Sequence, residues 1–173
     1  MVAVATGLLL YFIAGVEGVE CLSNAVVIDV ATADDLQNFI EAINCTGEGN
    51  FNVTWFGNVQ IGVRIDISGN KRLTVTGSGS NPNSAAGIDD DIDAVAMIDA
   101  GGVNGIFSVS KRSSLNLNKL VLTGGHSLNG GAISASSLSA VRVVDCIFTN
   151  NTASTGGKRT PSTLNTVVWA SFK

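Results

Sequence analysis

An all-β chain wound as a parallel β-helix, preceded by one amphipathic helix, is the fold this sequence predicts. Three observations carry the prediction. The 173 residues include 20 glycines and only 2 prolines, a composition that suits repeated turns between short strands. Only one segment shows a helical period. Residues 105–156 align with themselves without a gap at a spacing of 26 residues, which is the signature of a stacked repeat.

The first element is a targeting segment. From Val2 to Val16 the chain reads "VAVATGLLLYFIAGV", apolar and uncharged, too short to span a bilayer comfortably, and followed by small residues in "EGVEC". Residues 1–18 are therefore expected to be a signal peptide, and the mature chain to be secreted or at the cell surface with no membrane span left. Three N-x-[ST] sequons, at Asn44, Asn52 and Asn150, are glycosylation acceptors of the kind a secreted chain uses. The cysteine count is three. Cys21 and Cys45 flank one short segment and are expected to form a disulfide; Cys146, in "VVDCIF", reads as a small buried apolar residue.

"AVVIDV" (Ala25 to Val30) is a strand by its β-branched content. A helix is expected over about 32–43. Thr32 suits the N-cap, Asp34 and Asp35 suit the positive end of the helix dipole, and Leu36, Phe39, Ile40 and Ile43 recur at helical spacing. Beyond Gly47 no further helical period appears, and "FNVTWF", "VRIDIS", "RLTVTG", "VAMIDA", "GIFSVS" and "SLNLNKLVLTGG" all read as strand and turn.

The repeat decides how those strands are arranged. Gly105 to Gly130 and Gly131 to Gly156 are 26 residues each. Phe107 meets Ile133, Leu115 and Leu117 meet Val141 and Val143, and Leu120 and Leu122 meet Cys146 and Phe148. No helix separates the strands within a unit, so βαβ crossovers are excluded. Each unit can instead wind once around an axis and stack on the next at about 4.8 Å, with Gly and Asn at the left-handed corners and the Asn151 side chain expected to satisfy a turn backbone. An antiparallel sandwich is the competing arrangement. The β-helix domain is expected over 19–156. Residues 157–173 read as a degenerate or truncated coil, because Lys158 and Arg159 replace apolar residues and Pro161 interrupts the strand. Self-association through such an open coil is expected.

"GGAI" at Gly130 to Ile133 and "FTNN" at Phe148 to Asn151 resemble the GGA(I/L/V) and FxxN motifs of the polymorphic outer-membrane protein repeats. They are equally similar to right-handed β-helix proteins of the pectin-lyase-like superfamily. The resemblance implies a right-handed helix whose N-terminal end is closed by the amphipathic helix.

That superfamily hosts lyases, hydrolases, epimerases and adhesins, so the fold leaves function open. The ordered "NTD", "DD" and "GHG" set of galacturonases and the "DPHD" of alginate epimerases are absent. Asp89, Asp90, Asp91 and Asp93 form one acidic cluster whose carboxylates could hold calcium or share a proton, but a solvated loop is the expected reading. His126, the single histidine, lies in an expected turn, "GGHSL", and has no second metal ligand in view. Lys111, Arg112, Lys119 and Arg142 suit either a sugar-binding face or outward solubilising positions. Trp55 and Phe56 suit either sugar stacking or a plug beneath the helix, and the plug is the expected role. The formal charge of -4, without a long basic run, excludes nucleic acid as the expected partner. No catalytic, cofactor or metal residue is assigned. The expected function is that of a secreted non-catalytic surface or adhesion protein, a fragment of a longer solenoid, with a cell-wall or extracellular polysaccharide as partner. The alternative is the N-terminal part of a polysaccharide lyase or epimerase acting on uronic-acid polymers.

Overall fold

The computed structural model of the protein describes residues 26–45, 47–79, 96–136, 138–155 and 170–171. In chain order they form β1 (Val26–Val30), α1 (Ala33–Cys45), β2 (Gly49–Phe56), β3 (Asn58–Gln60), β4 (Ile65–Ile67), β5 (Lys71–Ser78), β6 (Met97–Asp99), β7 (Phe107–Val109), β8 (Ser114–Asn118), β9 (Val121–Thr123), β10 (His126–Asn129), β11 (Ile133–Ala135), β12 (Ala140–Val144), β13 (Ile147–Thr149), β14 (Thr152–Thr155) and β15 (Ala170–Ser171). The expected signal segment, Cys21, the Asp89 to Asp93 cluster and nearly all of the expected last coil lie outside the described residues.

Three parallel sheets take up these strands in rotation. The largest runs β1-β2-β5-β8-β12, the second β3-β6-β9-β13 and the third β4-β7-β11, while β10 and β14 form a separate parallel pair. From β2 onward, consecutive strands fall in different sheets. The result is a mainly β chain of stacked parallel sheets, an arrangement compatible with an all-β solenoid. The antiparallel sandwich does not describe it: among the described strands only β15 runs antiparallel to its neighbour, β12.

The register is the one read from the repeat. Phe107 lies against Ile133, Leu115 against Val141, Leu117 against Val143 and Leu122 against Phe148. These pairs are separated by 26 residues, as are Gly125 and Asn151. The preceding layer is longer, with Thr74 and Asn116 42 residues apart, because that layer also carries residues 80–95. Strand alternation then sorts the side chains: Leu115 and Leu117 of β8 are wholly buried, while Ser114, Asn116 and Asn118 point outward and are half-buried. In a parallel in-register sheet, like positions stack. Phe51, Leu73, Leu115 and Val141 form one inward column, and Val53, Val75, Leu117 and Val143 form the next. Each such burial contributes about 1.5–3 kcal/mol.

Helix α1 begins as its residues dictate. The Thr32 hydroxyl accepts a hydrogen bond from Asp35 N at 3.2 Å, and Asp35 Oδ2 accepts from Thr32 N at 2.9 Å, which closes a capping box. Leu36, Phe39 and Ile43 are buried in the common core. The helix continues to Cys45, two residues past the expected end at 43. Lys71 caps this last turn. Its buried ammonium donates to Ile43 O at 2.5 Å, a cation on a helix C-terminal carbonyl.

Two further differences from the sequence reading concern turns. Where a turn is expected at "GGHSL", the structure has β10, because His126 N donates to Asn104 O and the segment pairs with β14. The left-handed corners are not reserved for Gly and Asn: Lys111, Arg112, Lys119, Leu138 and Asp145 also adopt positive φ, between 51° and 63°. Here inter-layer hydrogen bonds, such as Lys119 N to Val144 O and Asn70 N to Lys111 O, hold the backbone against its intrinsic preference.

Candidate functional site

The broadest outward surface belongs to the first sheet, where strand alternation leaves three columns of side chains. Val27, Asn52, Thr74, Asn116 and Arg142 form the central column. Asp29, Thr54, Thr76, Asn118 and Val144 form a second, and Asn50, Arg72, Ser114 and Ala140 a third. Neighbouring layers lie about 4.8 Å apart, so these groups make a regular field of amides and hydroxyls on a rigid backbone. Asn116 Nδ2 donates to Thr74 Oγ1 at 3.4 Å, one contact along the column. The charged members, Asp29, Arg72 and Arg142, stand in three different columns, so no acid and base are stacked at one spot.

The third sheet repeats the pattern, with Asp66, Ser108 and Ser134 outward in register. An ion pair beside it is local and exposed: Arg64 Nε donates to Asp66 Oδ1 at 2.8 Å. On the second sheet Met97, Val121 and Ile147 form an outward apolar column beside Asp99, Thr123 and Thr149.

The singled-out residues separate cleanly by position. Trp55 is fully buried, its indole N–H donating to Met97 O at 3.2 Å, and Phe56 is buried with it. Neither is available to stack on a sugar. His126 is exposed at the start of β10. Lys111, Arg112 and Lys119 occupy corners, and Arg142 lies on the outward face. Asn44, on α1, Asn52, on β2, and Asn150, at a corner with φ of 53°, are all exposed. Cys45 is disulfide-bonded. Cys146 is a free, buried thiol whose pKa is pushed up by burial.

Among the described residues, no group of three or more His, Cys, Asp or Glu could hold a metal ion. No described helix is long and apolar enough to cross a membrane. Two polar residues that the motif reading passed over matter to the architecture. Lys71 holds the helix end, and Asp99 accepts from Gly101 N at 2.8 Å at a corner of the second sheet. The partner of Lys71 lies in α1, 28 residues away, so the local pattern carries no signal for it, whereas the Asp99 bond spans two residues and "DAGG" is the signal for such a turn. A scan against protein-family models found no match, and neither did searches of curated proteins and of solved structures.

Proposed function

We propose that this protein is a secreted, N-glycosylated, right-handed parallel β-helix of the surface or adhesion type, without catalysis of its own, whose outward face meets an extracellular or cell-wall polysaccharide. The observation that carries this reading is the outward face of the first sheet. An enzyme of this architecture stacks acidic and basic groups from successive layers at one spot. Here the columns present Asn, Thr and Ser across Thr74, Thr76, Ser114, Asn116 and Asn118, groups that exchange hydrogen bonds with sugar hydroxyls but do not transfer protons near neutral pH.

Other features support parts of the reading. Parallel strands joined by a crossover are right-handed in about 98% of cases, which favours that hand. The exposure of Asn44, Asn52 and Asn150 is compatible with a glycan at each. A disulfide at Cys45, assigned to Cys21, suits an oxidising compartment. The resemblance of "GGAI" and "FTNN" to the polymorphic outer-membrane protein repeats points the same way.

The test is to secrete the protein and challenge it with neutral cell-wall polysaccharides and with polyuronates. Retention on a polysaccharide, weakened by Thr74→Val together with Asn116→Leu, is expected. Formation of unsaturated uronate or new reducing ends, abolished by heat, would overturn the non-catalytic reading. Failure to be retained on any of the polymers would remove the proposed ligand.

A further inference from the structure

We infer that the glycan on Asn52 does more than solubilise: its first sugar folds back over Val27 and seals the outward face of the sheet at its β1 edge. The inference rests on the proposed reading of a secreted, glycosylated chain. Of the three sequon asparagines, Asn52 alone lies in a strand, and its direct register partner on β1 is Val27. Val27 is 62% exposed, although it sits on a sheet face among polar groups. Side chains at that register point the same way from strands about 4.8 Å apart. A sugar joined to the Asn52 amide therefore starts within reach of the Val27 methyls. N-acetylglucosamine has the chemistry for the contact: the C–H groups of its ring and its acetamido methyl are apolar, while its hydroxyls can turn toward Thr74, the partner of Asn52 on the other side.

The position gives the contact a consequence. β1 is the terminal strand of its sheet among the described residues, and an edge strand bearing an exposed apolar side chain invites pairing with another chain. A sugar seated on Val27 crowds that edge. It also withdraws Val27 and Asn52 from the ligand face, leaving the columns from Thr74 and Thr76 to Arg142 accessible.

The experiment is a double-mutant cycle in a glycosylating secretory host, using the unmodified sequence, Asn52→Gln, Val27→Thr and the double variant. Both changed side chains are exposed, so the fold should be retained. Mass spectrometry of the peptide containing Asn52 comes first: an unmodified Asn52 would overturn the underlying reading of glycosylation at this site. With Asn52 occupied, Asn52→Gln should lower the melting midpoint by a few degrees when Val27 is present and by clearly less in the Val27→Thr background. That coupling should vanish when the four proteins are made without glycans. Equal drops in the two backgrounds, or a coupling that persists without glycans, would overturn the contact while leaving glycosylation itself intact.

Discussion

Asn151 shows at the residue scale how one side chain joins two layers. Its Oδ1 accepts from Gly125 N at 2.8 Å, and its Nδ2 donates to Leu122 O at 2.9 Å. Gly125 occupies the same place one layer earlier, and a Cβ there would lie only 2.7 Å from the Asn151 Oδ1. Glycine below and asparagine above are thus one device. Asn151→Ala should leave the Gly125 N–H unpaired and remove the second bond to Leu122 O, and cost about 1–3 kcal/mol in urea unfolding; a change within error would remove the clamp. Lys71 is the other decisive residue. At 6% exposed, its ammonium is desolvated, and burial lowers its pKa from 10.5. Between that lowered value and 10.5 the unfolded chain holds a proton that the folded chain does not, so the desolvation penalty, fully present at neutral pH, is relieved as pH rises. Denaturation measured from near neutrality toward 10.5 should show the unmodified protein gaining stability relative to Lys71→Met. Parallel pH profiles would contradict the assignment.

At the scale of the element, α1 is anchored at both ends by different means. Its start is local: Thr32 and Asp35 satisfy each other's backbone N–H groups, and Asp35 Oδ2 also accepts from Ala31 N at 3.2 Å. Its end depends on Lys71 from β5. Thr32→Ala should therefore cost about 1 kcal/mol, whereas Thr32→Ser should be nearly neutral. The change should first raise amide exchange within 33–45 and leave β5 and β8 protected, because the helix packs over layers that are paired among themselves. Uniform loss of protection in β5 and β8 would instead mean that the helix and the layers open as one unit.

Across the whole molecule, burial thins toward the last described layer. Leu115 and Leu117 are 0% exposed, but Val141 and Val143, directly above them, are 8% and 7% exposed, and Ile133, Ala135 and Phe148 are only partly buried. The N-terminal layers are covered by α1, whereas β11, β13 and β14 end their sheets among the described residues. Strand edges left unpaired among the described residues, as on β11, β13 and β14, favour association with another copy at that end. Residues 19–173, secreted and examined by sedimentation across a concentration series, should form higher species as concentration rises. Ile147→Lys should weaken that association, since it places a charge on an exposed apolar position of β13, the last strand of its sheet among the described residues. A stable monomer throughout the series would contradict association through this end.

The amino-acid sequence determined on its own whatever depends on alternation and repetition. The 26-residue register, the inward column through Leu117 and Val143, the N-cap at Thr32 and the turn role of Asn151 all follow from local pattern compared with itself. Resemblance added a hand and a family, and both remain proposals. The tertiary structure alone decided what depends on partners far apart in the chain. Lys71 reads as an ordinary strand residue until Ile43 is beside it. His126 reads as a turn until β14 pairs with β10, and Lys119 reads as an unremarkable strand-end cation until Val144 O holds its backbone in a left-handed corner. The physical reason is common to all three. Period-two burial is written into each strand by its own side chains, but a corner conformation or a helix end is fixed by hydrogen bonds from the next layer, whose sequence lies tens of residues away.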